Sequence, residues 1–164
     1  GHPNGEGLPT LTYSTNDSAY HKKIAEYLQQ AWGELGLKID VNIVEWKSFT
    51  PQRRAGNYQV ARDGWVMDYN DPSNILELAL TGNGNNKAKY SNPEFDALMG
   101  KAATEKDPQT RFGYLHQAED LIMKDTAMVP LLYYNDFYLQ SDKITGSWHS
   151  PDGFWHFEYA DLAQ

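Results

Sequence analysis

An arginine and an aspartate at the two ends of one short run are the most chemically suggestive pair in this chain. Arg62 and Asp68 bracket Asp63-Gly64-Trp65-Val66-Met67, and Tyr69-Asn70-Asp71-Pro72 follows directly. Arginine recognises carboxylate through a fork of donors, and aspartate accepts from an ammonium group. Six residues of fully extended chain span on the order of 20 Å, so the two side chains would face separate ends of something rather than each other. A zwitterion with its charges at opposite ends fits such a pair. The backbone between them offers donors and acceptors to an extended ligand. On residue type alone Arg62 reads first as an ion-pair partner at a core edge and second as a ligand group.

Other chemistry is thinly represented. Asp68 and Asp71 form a carboxylate pair with a possible acid–base reading; capping explains Asp71, and a solvated or ligand-facing role explains Asp68. The five histidines are scattered. His2 reads as a tag residue and His116 as a helix-surface residue. His149 and His156 show no metal spacing, and His21 reads from its spacing as an exposed residue in the first turn of a helix. Cysteine is absent, which excludes disulfides and thiolate metal sites and leaves the redox compartment open. There is no Gly-x-Ser-x-Gly elbow, no His-Glu-x-x-His and no phosphate-cradling Gly-x-x-x-x-Gly-Lys-Ser/Thr, so no catalytic residue, cofactor or metal is expected.

Composition sets further bounds. A length of 164 residues suggests one domain with a sizeable core. The formal charge of -8 and pI near 5.0 argue against nucleic acid as a partner, because phosphate backbones call for basic patches. No apolar run is long enough to span a bilayer. Gly1 to Gly7 is polar and glycine-rich, unlike a signal peptide, and reads as a linker or cloning scar. Aromatics are in excess at 13%, with eleven Tyr and five Trp. They suit either a large core or a binding surface, where big stiff rings are useful.

The elements that must position the Arg62–Asp68 run follow from periodicity. Leu8 to Ser14 alternates and reads as a strand. Asp17 or Ser18 would cap a helix over Ala19 to Leu35, with Ile24, Leu28, Ala31 and Leu35 on one face and Gly36 as its left-handed stop. Leu37, Ile39, Val41 and Ile43 make a strand with one buried face. Trp46 to Arg54 is a short helix, broken by Gly56-Asn57. Tyr58 to Met67 reads as a central strand, ended where Asn, Asp and Pro forbid its ladder. Its end is where α/β folds place ligand sites. Pro72 to Leu80 reads as helical, with Asp71 as cap, and Thr81 to Lys87 as a flexible loop. Asn92-Pro93 and Asp107-Pro108 each open a helix. The first carries Phe95, Leu98, Met99 and Ala102, the second Phe112, Leu115, Ala118 and Ile122. Ala127 to Tyr134 is an apolar strand at an edge or bulge, because of Pro130; Asp136 to Gln140 would continue or pair with it. Residues 8–140 make one α/β ligand-binding lobe, and 141–164 an aromatic tail that is ordered or interface-seeking. Strands alternating with helices point to a layered α/β fold.

Several of these stretches, taken together, resemble one family. Ala61-Arg62-x-Gly64-Trp65-x-x-Asp68-Tyr69-Asn70-Asp71-Pro72 is similar to a motif of the oligopeptide-binding proteins of ABC importers. Leu8-Pro9-Thr10-Leu11-Thr12-Tyr13, His21-Lys22-Lys23, Glu45-Trp46-Lys47-Ser48-Phe49, Asn85 to Tyr90, Ser91 to Asp96 and Val129 to Tyr134 come in that family's order. The resemblance covers nearly the whole chain and matches the carboxy-terminal lobe of the family, without the first lobe and inserted domain upstream. It implies a periplasmic-binding-protein-like fold of type II, a mixed sheet flanked by helices. It implies an extracytoplasmic solute-binding protein, periplasmic or lipid-anchored at the outer face of the cell membrane in the parent protein. That protein would deliver oligopeptides to ABC permease subunits and perform no reaction.

By the same resemblance Asp68 would meet the peptide α-amino group. Arg62 to Met67, including Val66, would contact its main chain, with Gly64, Trp65, Tyr69 and Asn70 in the cleft. Arg62 and His21 would meet its carboxylate for peptides of some lengths. Asp63 departs from the small residue of the family pattern and adds a negative charge beside Arg62. The tail would return to the missing first lobe. Two alternatives stay open: the same scaffold binding a nickel complex, haem or a sugar, and a small hydrolase using Asp68, Asp71 and His21.

Overall fold

The computed structural model describes residues 2–135, 137–150 and 153–163. Asp136, expected in the continuation after Tyr134, lies outside them. The chain divides into two compact units, Gly1–Gly64 with Leu78–Asn92, and Trp65–Glu77 with Pro93–Gln164.

The first unit is a three-stranded parallel sheet with helices in its connections. β1 (Leu11–Asn16) is central, β2 (Ile39–Val44) lies on one side and β3 (Val60–Ala61) on the other. Both pairings are parallel, running from Leu11↔Ile39 to Asn16↔Val44 and from Tyr13↔Val60 to Ser14↔Ala61. Parallel neighbours need crossovers, and α1 (Ala19–Gly33) and α2 (Trp46–Ala55) supply them. The core forms where α1 lies on the sheet. Tyr13, Ala25 and Leu28 are buried together, with Ile24, Trp32, Ile39, Val41 and Val60 against them. Tyr13 and Trp32 meet edge to face, 6.2 Å between centroids.

The run expected as a central strand over Tyr58 to Met67 is corrected here. Only Val60–Ala61 is strand, and it lies at the sheet's edge beside β1. Arg62 to Met67 continues without a ladder. The apolar residues there are genuine, but Gly64 and the side-chain bonds of Asp63 divert the backbone from pairing. The first strand is also displaced, starting at Leu11 rather than Leu8. Ser18 occupies the N-cap position of α1, without a side-chain cap bond. Leu35, placed on the buried face by its spacing, lies beyond the helix and is exposed.

The first residues do not behave as a linker. Pro3–Gly5 forms a 3-10 turn, and Gly5 packs directly on Gly36. Both glycines have positive φ, and a Cβ on either would collide with the backbone of the other segment. Thr81 to Lys87 is likewise built rather than loose. Buried Asn86 donates to the carbonyls of Ala79, Leu80 and Tyr90 and accepts from the Tyr90 amide.

The second unit rests on a helical hairpin, α4 (Pro93–Thr104) and α5 (Pro108–Asp125). Phe95, Leu98, Met99 and Ala102 are buried on one helix, Leu115, Ala118 and Ile122 on the other. Phe112 is instead exposed. α3 (Ser73–Leu76) packs on α5, and a 3-10 turn over Glu77–Ala79 follows it, in place of one helix to Leu80. No strand forms over Ala127 to Tyr134; Val129, Leu131, Leu132, Tyr133 and Tyr134 are exposed. The aromatic tail makes two antiparallel ladders, β4 (Ile144–Thr145) with β7 (Asp161–Leu162), and β5 (Trp148–His149) with β6 (Trp155–His156). Trp148 stacks on His156 at 3.8 Å.

Candidate functional site

The residues singled out by type fall into two groups, one in each unit. The first lies at the carboxyl end of the parallel sheet. Arg62 follows the last β1–β3 pair, and its amide donates to the Ser14 carbonyl at 2.8 Å. Thr15 and Asn16 stand at the end of the neighbouring strand, buried, and neither Thr15 Oγ1 nor Asn16 Oδ1 has a hydrogen-bond partner among the described residues. His21 comes from the first turn of α1. It is half-buried rather than exposed, with its ring edge-to-face on Tyr20. Burial, and then the charge of Arg62, push its pKa below the ordinary histidine value. The fold therefore brings Arg62 and His21 close enough to interact, which spacing alone did not reveal.

Asp63 is not simply an added charge beside Arg62. Its Oδ1 accepts from Arg53 Nη1 at 2.7 Å and from the Gly64 amide at 2.7 Å, and its Oδ2 faces Lys87 Nζ at 3.9 Å. The same Arg53 Nη1 donates to the Arg62 carbonyl at 3.0 Å. Arg53 is buried at the end of α2, its guanidinium 5.1 Å from the Phe49 ring centroid. Burial lowers the pKa of both Arg53 and Lys87, and Asp63 opposes it in each. The Arg62 carbonyl and the Gly64 amide, expected to serve a ligand's main chain, are thus engaged within the protein. Arg53 and Lys87 were missed by the sequence reading; the sign to follow was the unexpected carboxylate itself, which needs a cation.

The second group surrounds Asp68. Asn74, buried in α3, accepts at Oδ1 from Trp65 Nε1 at 2.9 Å and from the Asp68 amide at 3.2 Å. It locks the tryptophan and the aspartate backbone together. The Asp68 carboxylate is exposed, and no bond to it is found among the described residues. Val66, Tyr69 and Asn70 are exposed, while Trp65 and Met67 are half-buried. Tyr69 hydroxyl lies 3.2 Å from Ser73 Oγ. Asp71 fixes the turn that follows: it accepts from Arg111 Nη1 and Nη2 at 2.8 and 2.9 Å and from the Ser73 amide at 3.0 Å. The Arg111 fork holds its carboxyl well below the usual carboxylate range, against the opposing effect of burial. Among the described residues no group of three or more His, Asp or Glu is placed to hold a metal ion, and no helix is long and apolar enough to cross a membrane.

Comparison with known proteins points one way. Residues 1–87 match the family model described as bacterial extracellular solute-binding proteins, family 5 Middle, so the segment expected as a linker lies within the match. Dipeptide-binding protein DppE of Bacillus subtilis is 37% identical over 93% of this chain and 28% of its own length. Periplasmic oligopeptide-binding protein OppA of Salmonella typhimurium is 38% identical over 76% of the chain and 23% of its own length. The structure of Haemophilus influenzae OppA in complex with RPPGFSPFR superposes with a TM-score of 0.76 at 32% identity, covering 82% of this chain and 26% of that one. The chain spans about a quarter of the length of the curated relatives it matches. The α/β layering expected from the sequence is that of the type II periplasmic binding proteins among these neighbours.

Proposed function

Because the chain belongs to the family 5 bacterial extracellular solute-binding proteins, we propose that it is the peptide-binding lobe of an extracytoplasmic receptor delivering oligopeptides to an ABC permease. Asp68 receives the peptide α-amino group. Arg62, with His21 beside it, meets a carboxylate. Trp65, Met67, Val66, Tyr69 and Asn70 flank the ligand, and the aromatic tail returns to a first lobe that lies outside this chain. The reaction is binding alone.

The observation that carries this reading is the state of Asp68. An exposed carboxylate with no bond of its own among the described residues sits on a backbone fixed by Asn74. A preorganised acceptor of this kind suits an ammonium group. The peptide ligand named for a structural relative at 32% identity supports the same class. The hydrolase alternative loses support from Asp71, whose two oxygens are committed to Arg111.

Native mass spectrometry on an equimolar mixture of tripeptides, their N-acetylated forms, a nickel chelate, haem and a disaccharide tests the proposal. Adducts of free tripeptides alone, lost in Asp68→Asn, are expected. Retention of a non-peptide solute in preference to every peptide would overturn it.

A further inference from the structure

We propose that Asn83 is a site of spontaneous, self-catalysed modification, in which the Gly84 backbone nitrogen converts its side-chain amide to a succinimide and then to a carboxylate. This lies outside the binding role and depends on neither Asp68 nor Arg62. The chain contains two Asn-Gly pairs, Asn4-Gly5 and Asn83-Gly84. Glycine has no Cβ to hinder its own nitrogen as it attacks the preceding side chain, so both pairs have the sequence that favours this chemistry. The structure separates them.

At Asn83 the reacting groups are prepared. Asn83 Oδ1 accepts from the Asn85 amide at 2.8 Å. That bond turns the side chain toward the residues that follow, and it stabilises the oxygen on which negative charge develops when a nucleophile adds to Cγ. Gly84 is exposed, and its amide donates no hydrogen bond among the described residues. Beyond its chain neighbours, no atom lies within 4 Å of where its Cβ would stand. At Asn4 the same pair is locked. The Gly5 amide donates to the His2 carbonyl at 3.0 Å, which opposes loss of its proton. Ring closure also needs rotation between Asn4 and Gly5, and Gly5 is pressed on Gly36 so closely that a Cβ would collide with the Gly36 carbonyl.

Hydroxide removes the Gly84 amide proton, and the nitrogen forms a bond to Asn83 Cγ. The Cγ–Nδ2 bond breaks, and the amide leaves as ammonia with a proton from water. Water then opens the succinimide at either carbonyl, giving aspartate or isoaspartate, each with one new negative charge. Isoaspartate routes the main chain through Cβ and Cγ. The Asn83 carbonyl accepts from the Asn86 amide at 3.0 Å, so the added carbon enters the turn that seats buried Asn86.

The test is made on the chain as it stands and on Gly84→Ala. Both are incubated at pH 7 and pH 9, folded and in guanidinium chloride, and the peptides holding Asn4 and Asn83 are followed by mass spectrometry. In the folded chain the Asn83 peptide should gain one mass unit at least about ten-fold faster than the Asn4 peptide, and faster still at the higher pH. In denaturant the two rates should converge, because the difference belongs to the fold. Gly84→Ala, whose methyl group meets open space, should slow the Asn83 conversion at least about ten-fold. Equal rates at Asn4 and Asn83 in the folded chain overturn the inference. So does the same ratio of rates folded and denatured, or an Asn83 rate unchanged in Gly84→Ala. Should Gly84→Ala fail to fold, the comparison of Asn4 with Asn83 in the parent chain decides alone.

Discussion

Asn74 does more for the candidate site than any residue whose chemistry was visible beforehand. One oxygen holds both the Trp65 indole and the Asp68 amide. Asn74→Ala leaves two donors without their acceptor in a half-buried place, which costs about 1–3 kcal/mol. Urea unfolding followed by tryptophan emission measures this; a loss under about 0.5 kcal/mol would mean that water replaces the asparagine. Asp71 makes a second residue-scale prediction. Its carboxyl titrates below the ordinary value of 3.8 in the folded chain, so its contribution is complete above that value and is lost as pH falls below it. Urea midpoints at pH 6 and pH 3 should drop less for Asp71→Asn than for the parent; equal drops would contradict the linkage. Residue type singles out Asp68 and Arg62 as ligand candidates, and the family resemblance adds Trp65. Asn74 and Arg53 were not legible, because a buried amide and a buried guanidinium act through partners distant in sequence.

At the scale of elements, α1, α2, α4 and α5 could be read from period and punctuation, since each carries its own start and stop signals. Gly56 shows how local that information is. It ends α2 with φ 78°, and a Cβ there would meet only the flexible Lys89 side chain at ordinary contact distance. Gly56→Ala should therefore cost about 1 kcal/mol through backbone strain alone. Gly33→Ala, in the last turn of α1 with nothing within 4 Å, should stabilise by up to about 1 kcal/mol. Thermal or urea unfolding checks both, and the same sign for both would refute the conformational account. Strands were read less well. Tyr58 to Met67 and Ala127 to Tyr134 are apolar enough to be strands, yet pairing depends on a neighbouring edge that no local pattern encodes. In the first run Asp63 and Gly64 bond to each other and to α2 instead of to a strand.

At the scale of the whole molecule the exposed aromatic surface is the dominant feature. Tyr133, Phe137 and Leu139 are nearly fully exposed, and Tyr159, Phe157 and Trp148 are exposed as well. Isolated apolar side chains are ordinary on surfaces, but this many in one stretch of sequence suit a contact with another molecule. Sedimentation velocity should show self-association that rises with concentration in this chain and is reduced by changing Tyr133, Phe137 and Leu139 to Ser. A strictly monomeric chain at millimolar concentration would contradict that. The sequence excess of aromatics left core and surface both open; the structure divides them, burying Phe49 and Phe95 and exposing Phe137, Phe154, Phe157 and Tyr159, with Trp155 half-buried between.

The central claim is that Asp68 anchors a peptide amino terminus. A backbone amide titration of this chain with tri- to pentapeptides, run against the same peptides N-acetylated, tests it most directly, because it registers weak binding. Shifts confined to Arg62–Asp68 and their neighbours, seen with free amino termini and absent with acetylated ones, are the predicted result. Equal shifts with both sets of peptides would contradict it.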